Sequence, residues 1–64
     1  MSDEVLLGIS KRFQEERQSI MEDLADGKAK DHAVYQYHCG VMRGLLLANN
    51  ILAETAERLA KQND

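Results

Sequence analysis

The sequence is poor in the residues that stabilise very small domains. Its 64 residues include one cysteine, one phenylalanine, no tryptophan and no proline. A single cysteine excludes an intramolecular disulfide and is typical of a reducing compartment. A chain this short also buries too little of its surface to be stable without a disulfide, a metal or partner copies. The composition therefore favours association with other copies of the same chain.

Charge and hydropathy argue against two further classes of protein. The net charge of −3 is a poor electrostatic match to nucleic acid, which we therefore do not expect as a partner. The longest apolar stretch, 41–53, contains Arg43 and is shorter than the roughly 20 residues that span a bilayer. The acidic start, Met1-Ser2-Asp3-Glu4, does not resemble a secretory or transit peptide. We expect a soluble, intracellular protein with no membrane partner.

The absence of proline allows each half of the chain to form one helix. Apolar residues recur at helical spacing in the first half. Gly27 can adopt the left-handed conformation that ends a helix, and Asp31 is a suitable N-cap for the next one. We predict an all-α fold in which residues 1–64 form a single domain, an antiparallel two-helix hairpin with helices at about 3–26 and 32–61.

The second predicted helix has little charge, and Arg43 is the one acidic or basic residue in 32–53, His aside. Within it, apolar residues cover nearly the whole circumference of 41–53, which predicts burial on nearly every side. One partner helix cannot provide that, so we expect an oligomeric, coiled-coil-like helical bundle with this helix at its centre, as a dimer or higher oligomer. The residues expected at the oligomer and core interface are Phe13, Gly40, Val41, Met42, Gly44, Leu45, Leu46, Ala48, Asn49, Leu52, Ala53, Ala56 and Leu59.

Two features of this helix carry more specific expectations. Gly40 and Gly44 lie one turn apart, and pairing the helices about residues 28–29 places Phe13 over Gly44, where a missing Cβ leaves room for the ring. Each Gly costs about 1 kcal/mol in a helix relative to Ala. This cost favours a role of the two glycines in close packing over the alternative that they are merely tolerated in the sequence. Asn49 either is buried and fixes the register of the assembly or is simply exposed.

No constellation of residues predicts catalysis, a metal or a cofactor. His38 and Cys39 are adjacent and point about 100° apart on a helix, so they do not easily share one ion. We expect Cys39 to be an inert buried thiol and His38 to contact Glu16 or Arg17 of the first helix. A two-helix chain also offers no cleft in which carboxylates converge. The chain is therefore predicted not to be an enzyme.

Tyr35, Gly40, Gly44-Leu45, Ala48 and Ile51 form a pattern of aromatic, small and aliphatic residues along the second helix. In this pattern the chain resembles short helical-hairpin proteins encoded by tailed bacteriophages. The resemblance covers about half the chain and includes no catalytic residue. It implies a small accessory protein of the virion, in the head or head–tail region, found in the virion or in the cytoplasm of a bacterial host.

Two functions are compatible with these features. In the first, copies assemble through the second helix and the charged surface docks onto a larger protein. The residues expected to face that partner are Glu15, Glu16, Glu22, Asp23 and Arg43. In the second, the chain is a small regulator that binds RNA or DNA or inhibits a host enzyme through its acidic face.

Overall fold

The computed structural model describes residues 3–62 and contains two helices, α1 (Asp3–Ala25) and α2 (His32–Gln62). The helices pack side by side and run antiparallel in a rod of 50 × 16 × 13 Å. Asp3 and Gln62 therefore lie toward the same end of the rod, opposite the turn. The predicted hairpin is confirmed, and each helix ends within one residue of its predicted boundary.

The turn begins with a left-handed glycine, as the sequence predicts. Gly27 has φ = 76° and is the one described residue outside the usual backbone regions. Its N–H donates to the carbonyl of Leu24 (3.1 Å), and the N–H of Lys28 donates to the carbonyl of Asp23 (3.0 Å). These two bonds form a Schellman motif, which satisfies carbonyls that the end of a helix leaves open.

The start of α2 has the predicted cap. The Oδ1 atom of Asp31 accepts a hydrogen bond from the backbone N–H of Val34, three residues further on, at 2.9 Å. This is the geometry of an N-cap, in which a short polar side chain replaces the hydrogen-bond partner that the first turn lacks. The connection between the helices is thus fixed at both of its ends by local chemistry.

The two helices meet along one line of residues on each. From Leu6 to Leu24 and from Val34 to Leu52 the lines repeat at alternating intervals of four and three residues, the spacing that keeps a stripe on one side of two packed helices. Leu59 follows seven residues after Leu52. Most of these side chains are half-buried and Leu6 is buried. On α1 the line consists of Leu6, Ser10, Phe13, Arg17, Ile20 and Leu24. On α2 it consists of Val34, His38, Val41, Leu45, Ala48, Leu52 and Leu59.

Two polar contacts across this interface define the register of the helices. The Ser10 hydroxyl donates to Asn49 Oδ1 at 2.6 Å, and Arg17 Nε donates to the Met42 carbonyl at 3.3 Å. In an antiparallel pair the numbers of two facing residues add up to a constant that describes the register. This sum is 59 for both contacts, whereas the predicted pairing about residues 28–29 gives 57. Side chains on a helix lean toward its N-terminus, so each covers a spot about one residue before its own Cα. Where two side chains meet in an antiparallel pair, as Ser10 and Asn49 do, both helices contribute this offset, which accounts for the difference of two.

The expected contact of Phe13 with Gly44 is wrong. A Cβ placed on Gly44 meets no atom within 4 Å outside its own stretch of helix, and the same holds for Gly40. Gly44 lies about 100° around the helix from Leu45, which is half-buried in the line that faces α1. Neither glycine of this pair therefore serves close packing within the hairpin.

Helix α2 is less apolar around its circumference than the sequence analysis expects. A strip of exposed polar residues runs along the side that faces away from α1, because residues seven apart lie on nearly the same side of a helix. None of the residues of α2 is buried within the hairpin. The strip, which we call the outward polar strip, consists of Gln36, Arg43, Asn50 and Glu57. The apolar surface of α2 thus lies on its two flanks as well as toward α1.

Within residues 3–62, neither helix combines the length and apolar character that crossing a membrane requires.

Candidate interaction surface

Within its described residues, the hairpin leaves about half of the large apolar side chains exposed to solvent. Among residues 4–62, Leu6 alone is buried, with 4% of its surface exposed. In the same range nine large apolar side chains are exposed. They are Val5, Leu7, Ile9, Met21, Tyr35, Tyr37, Leu46, Leu47 and Ile51. The surface that bears them is the candidate functional site.

One flank of α2 has a continuous line of apolar residues that does not face α1. Tyr37, Leu47 and Ile51 expose 67%, 61% and 55% of their surfaces, and two open glycines lie between the tyrosine and the leucine. Each member of the line directly precedes a residue that faces α1, so the line is displaced by about 100° from that interface. We call it the outer seam. It consists of Ala33, Tyr37, Gly40, Gly44, Leu47 and Ile51.

On the opposite flank, a shallow apolar groove lies near the end of the rod that is remote from the turn. Leu7 forms part of its rim and exposes 68% of its surface. The groove, which we call the open-end groove, is lined by Leu6, Leu7, Ser10, Leu52, Ala53 and Ala56. The hairpin thus has apolar surface on both of its flanks.

The residues predicted for the oligomer and core interface are divided between the inside and the outside of the hairpin. Nine of them are half-buried within the hairpin: Phe13, Val41, Met42, Leu45, Ala48, Asn49, Leu52, Ala56 and Leu59. The four others are exposed: Gly40, Gly44, Leu46 and Ala53.

The residues expected at the oligomer and core interface include two members of the outer seam, Gly40 and Gly44. They do not include Tyr37, Leu47 or Ile51. The signal that identifies them together is the alternation of four and three residues from Ala33 to Ile51, which matches the spacing of the line facing α1. The exposed Leu7 was missed because a single apolar residue outside the stripe of α1 has no periodic signal.

The polar contacts of Asn49 and His38 differ from expectation. Asn49 is half-buried, but its carbonyl oxygen already accepts a hydrogen bond from Ser10 of the same chain. No hydrogen bond or ion pair joins His38 to Glu16 or Arg17: Glu16 pairs with Arg12, and Arg17 donates to the Met42 carbonyl. The His38 ring instead meets the ring of Tyr37 edge-on, with 5.4 Å between centroids.

The other candidate ligands are held in local side-chain contacts. The ring of His32 lies 6.3 Å from that of Tyr35, and its Nε2 is 3.2 Å from the side-chain nitrogen of Gln36. The neighbouring Cys39 side chain raises the pKa of Tyr35. Cys39 itself is half-buried. Within residues 3–62, no three His, Cys, Asp or Glu side chains are grouped so that they could hold a metal ion.

The charged residues predicted to face a partner differ in whether their side chains already have partners within the chain. Glu16 forms an ion pair with Arg12 (3.1 Å), and Asp23 forms one with Lys28 (3.1 Å). Glu22 accepts a hydrogen bond from Gln18 (3.2 Å). Two members of the set, Glu15 and Arg43, are exposed on the outward sides of α1 and α2.

Comparisons of the chain with protein-family models, with curated proteins and with solved structures give no match.

Proposed function

We propose that this chain is a non-enzymatic interaction protein that works as a homo-oligomer. The observation that carries the proposal is the ratio of buried to exposed apolar side chains, because among residues 4–62 one large apolar side chain is buried while nine are exposed. An apolar line that stays exposed along a surface, such as the outer seam, is typical of a face that another protein covers. A second copy is the occupant that we favour, since chains of this length commonly reach stability through association.

The dimensions of the hairpin support the same proposal. A compact 64-residue domain has a radius of gyration of about 11 Å, whereas this hairpin has one of 15.0 Å. A rod two helices thick has no interior layer that is shielded on all sides. Packing a second hairpin against it would create such a layer without any change in the fold of either chain.

The charged surface is the part that remains available for a larger partner. Glu15 and Glu22 lie on the side of α1 that is remote from α2, and Arg43 lies in the outward polar strip. An oligomer built through apolar flanks would leave these residues in solvent. We propose that they form the docking surface, with Glu16 and Asp23 contributing less because they are already paired within the chain.

The resemblance of the pattern from Tyr35 to Ile51 to phage hairpin proteins extends the proposal to the virion. In this proposal the larger partner is a component of the phage head or of the head–tail region. Mass spectrometry of purified particles of the encoding phage tests it, and we expect a constant number of copies per particle. Presence in the infected-cell lysate but not in particles would contradict a virion role and favour the regulatory alternative.

Sedimentation equilibrium of the purified chain at micromolar concentrations tests the oligomer directly. We expect a mass of at least two chains and a melting temperature that rises with protein concentration, because association stabilises the folded state by mass action. A helical species with the mass of one chain and a melting temperature independent of concentration would overturn the proposal.

A further inference from the structure

We propose that two copies of this chain pair antiparallel through the outer seam, α2 against α2, with their closest approach at Gly40 and Gly44. The inference rests on the proposed homo-oligomer and specifies its face and its orientation. The occupant of the outer seam is therefore a second copy of the same seam.

The spacing of the seam is that of a helix–helix interface. Its six members alternate at intervals of four and three residues from Ala33 to Ile51, which is the heptad pattern that keeps an apolar line against a partner helix. The seam does not face α1, and Tyr37, Leu47 and Ile51 each expose more than half of their surface. Within the hairpin this pattern has no partner helix.

The order of residues along the seam fits a copy that runs in the opposite direction. Antiparallel pairing centred between the two glycines brings Gly40 of one copy opposite Gly44 of the other. It also brings Tyr37 opposite Leu47 and Ala33 opposite Ile51. The Tyr37–Leu47 pairing occurs twice in the dimer, once on each side of the glycines. Between these two pairs the glycines have no side chains, so the two backbones can approach closely. A Cβ at either glycine meets nothing within its own chain, so this surface is open to a partner.

Charge complementarity selects the antiparallel orientation over the parallel one. Beyond Ile51, the same line of α2 continues with Glu54 and then Arg58. Antiparallel pairing in this register places Glu54 at the level of the partner's Lys30 and Arg58 at the level of the partner's Asp26, so both charged residues of the line meet the opposite charge. Parallel pairing would instead place Glu54 against Glu54 and Arg58 against Arg58, and like charges at such positions are destabilising.

The surface that the hairpin exposes is large enough for such a pair. A compact monomer of 7.2 kDa exposes about 4,100 Å², whereas this chain exposes 5161 Å². The difference, about 1,000 Å², is comparable to the roughly 800 Å² that each partner buries in a stable interface of standard size. The outward polar strip lies next to the seam and would form the rim of the interface.

Glycine substitutions provide a matched test of the face. Gly44 and Gly8 are both exposed helical glycines whose added Cβ meets nothing within 4 Å. We therefore expect both Gly44→Leu and Gly8→Leu to leave the fold of the hairpin intact, which helical circular dichroism checks. We expect Gly44→Leu to weaken association by at least about tenfold, because a side chain there separates the two backbones. Gly8→Leu should leave association unchanged in sedimentation equilibrium, and equal effects of the two would overturn the inference.

Disulfide mapping tests the orientation in a Cys39→Ser background. In the antiparallel pair, Tyr37→Cys of one copy lies opposite Leu47→Cys of another. Two copies of the same variant have their cysteines about 15 Å apart along the axis, beyond the reach of a disulfide. Mixing the two variants should therefore give mainly the mixed disulfide on oxidation. Gln36→Cys mixed with Asn50→Cys, in the outward polar strip, is the control and should give little.

The outcomes separate this inference from the proposal on which it rests. Efficient disulfides within each single variant would indicate parallel pairing and overturn the antiparallel orientation. A dimer by sedimentation that gives no seam disulfide would overturn the seam while leaving the homo-oligomer intact, and would direct attention to the open-end groove. A monomer by sedimentation would overturn both.

Discussion

The hydroxyl of Ser10 donates a 2.6 Å hydrogen bond to the side-chain oxygen of Asn49, joining the two helices across the interface. Both side chains are half-buried. An apolar partner at either position would leave the remaining polar group partly desolvated without this bond. The pair thus favours one alignment of α1 along α2 over neighbouring alignments.

Replacing Ser10 tests the energetic value of this bond. We expect Ser10→Ala to lower the free energy of unfolding by about 1 kcal/mol, measured by urea denaturation followed by helical circular dichroism. A double-mutant cycle with Asn49→Ala should give a coupling energy of similar size. Ser19→Ala, an exposed site on the same helix, is the matched control and should change stability by less than about 0.5 kcal/mol. Zero coupling would mean that the bond does not contribute to folding.

Adjacent leucines on α1 allow the inside and the outside of the hairpin to be compared. Leu6 is buried and Leu7 exposes 68% of its surface. We expect Leu6→Ala to cost about 2–5 kcal/mol, as for other buried leucines, and Leu7→Ala to cost less than about 1 kcal/mol. Thermal denaturation at a fixed protein concentration measures both. A large loss for Leu7→Ala would show that the open-end groove is covered in the folded species.

The turn glycine should respond to substitution in the opposite direction from a helical glycine. Gly27→Ala forces an L side chain into a backbone with φ = 76°, and we expect it to destabilise the hairpin by about 1–2 kcal/mol. Gly8→Ala, within α1, should stabilise it by about 0.5–1 kcal/mol because alanine favours the helix. Melting temperatures of the two variants measure this. A neutral or stabilising Gly27→Ala would contradict the left-handed turn.

The cap of α2 provides a further prediction. Asp31→Ala removes the acceptor of the Val34 N–H bond, and we expect a loss of about 1 kcal/mol in stability. Asp31→Asn keeps an acceptor oxygen and should retain most of it. Asp26→Ala, at the C-terminal end of α1, should be neutral or slightly stabilising, because a negative charge is unfavourable at that end of a helix. Equal losses for Asp31→Ala and Asp31→Asn would indicate that the charge matters and the cap does not.

Local signals in the sequence were sufficient to predict the helices and the turn. Gly27 and Asp31 act through contacts with residues close to them in the chain, so their roles follow from residue type and position. The alignment of the helices depends on the direction in which side chains lean, which periodicity does not report. Pairing by backbone position therefore missed the Ser10–Asn49 contact and assigned Phe13 to the wrong place.

The candidate surface was harder to predict for a different reason. Apolar content alone does not distinguish a residue that faces α1 from one that faces another molecule, and Gly44 and Leu45 differ by one position in the chain. Only the structure shows that Leu45 is half-buried while Gly44 is open. The outward polar strip has a seven-residue period that a search for apolar stripes overlooks.

In one hairpin, the start of α1 and the end of α2 lie together at one end of the rod, and the turn forms the other end. In the proposed two-fold antiparallel pair the two extremities are equivalent, and at each of them the helix ends of one copy extend about 12 Å beyond the level of the other copy's turn. A dimer of this symmetry has two equivalent ends, so one dimer could link two identical target molecules.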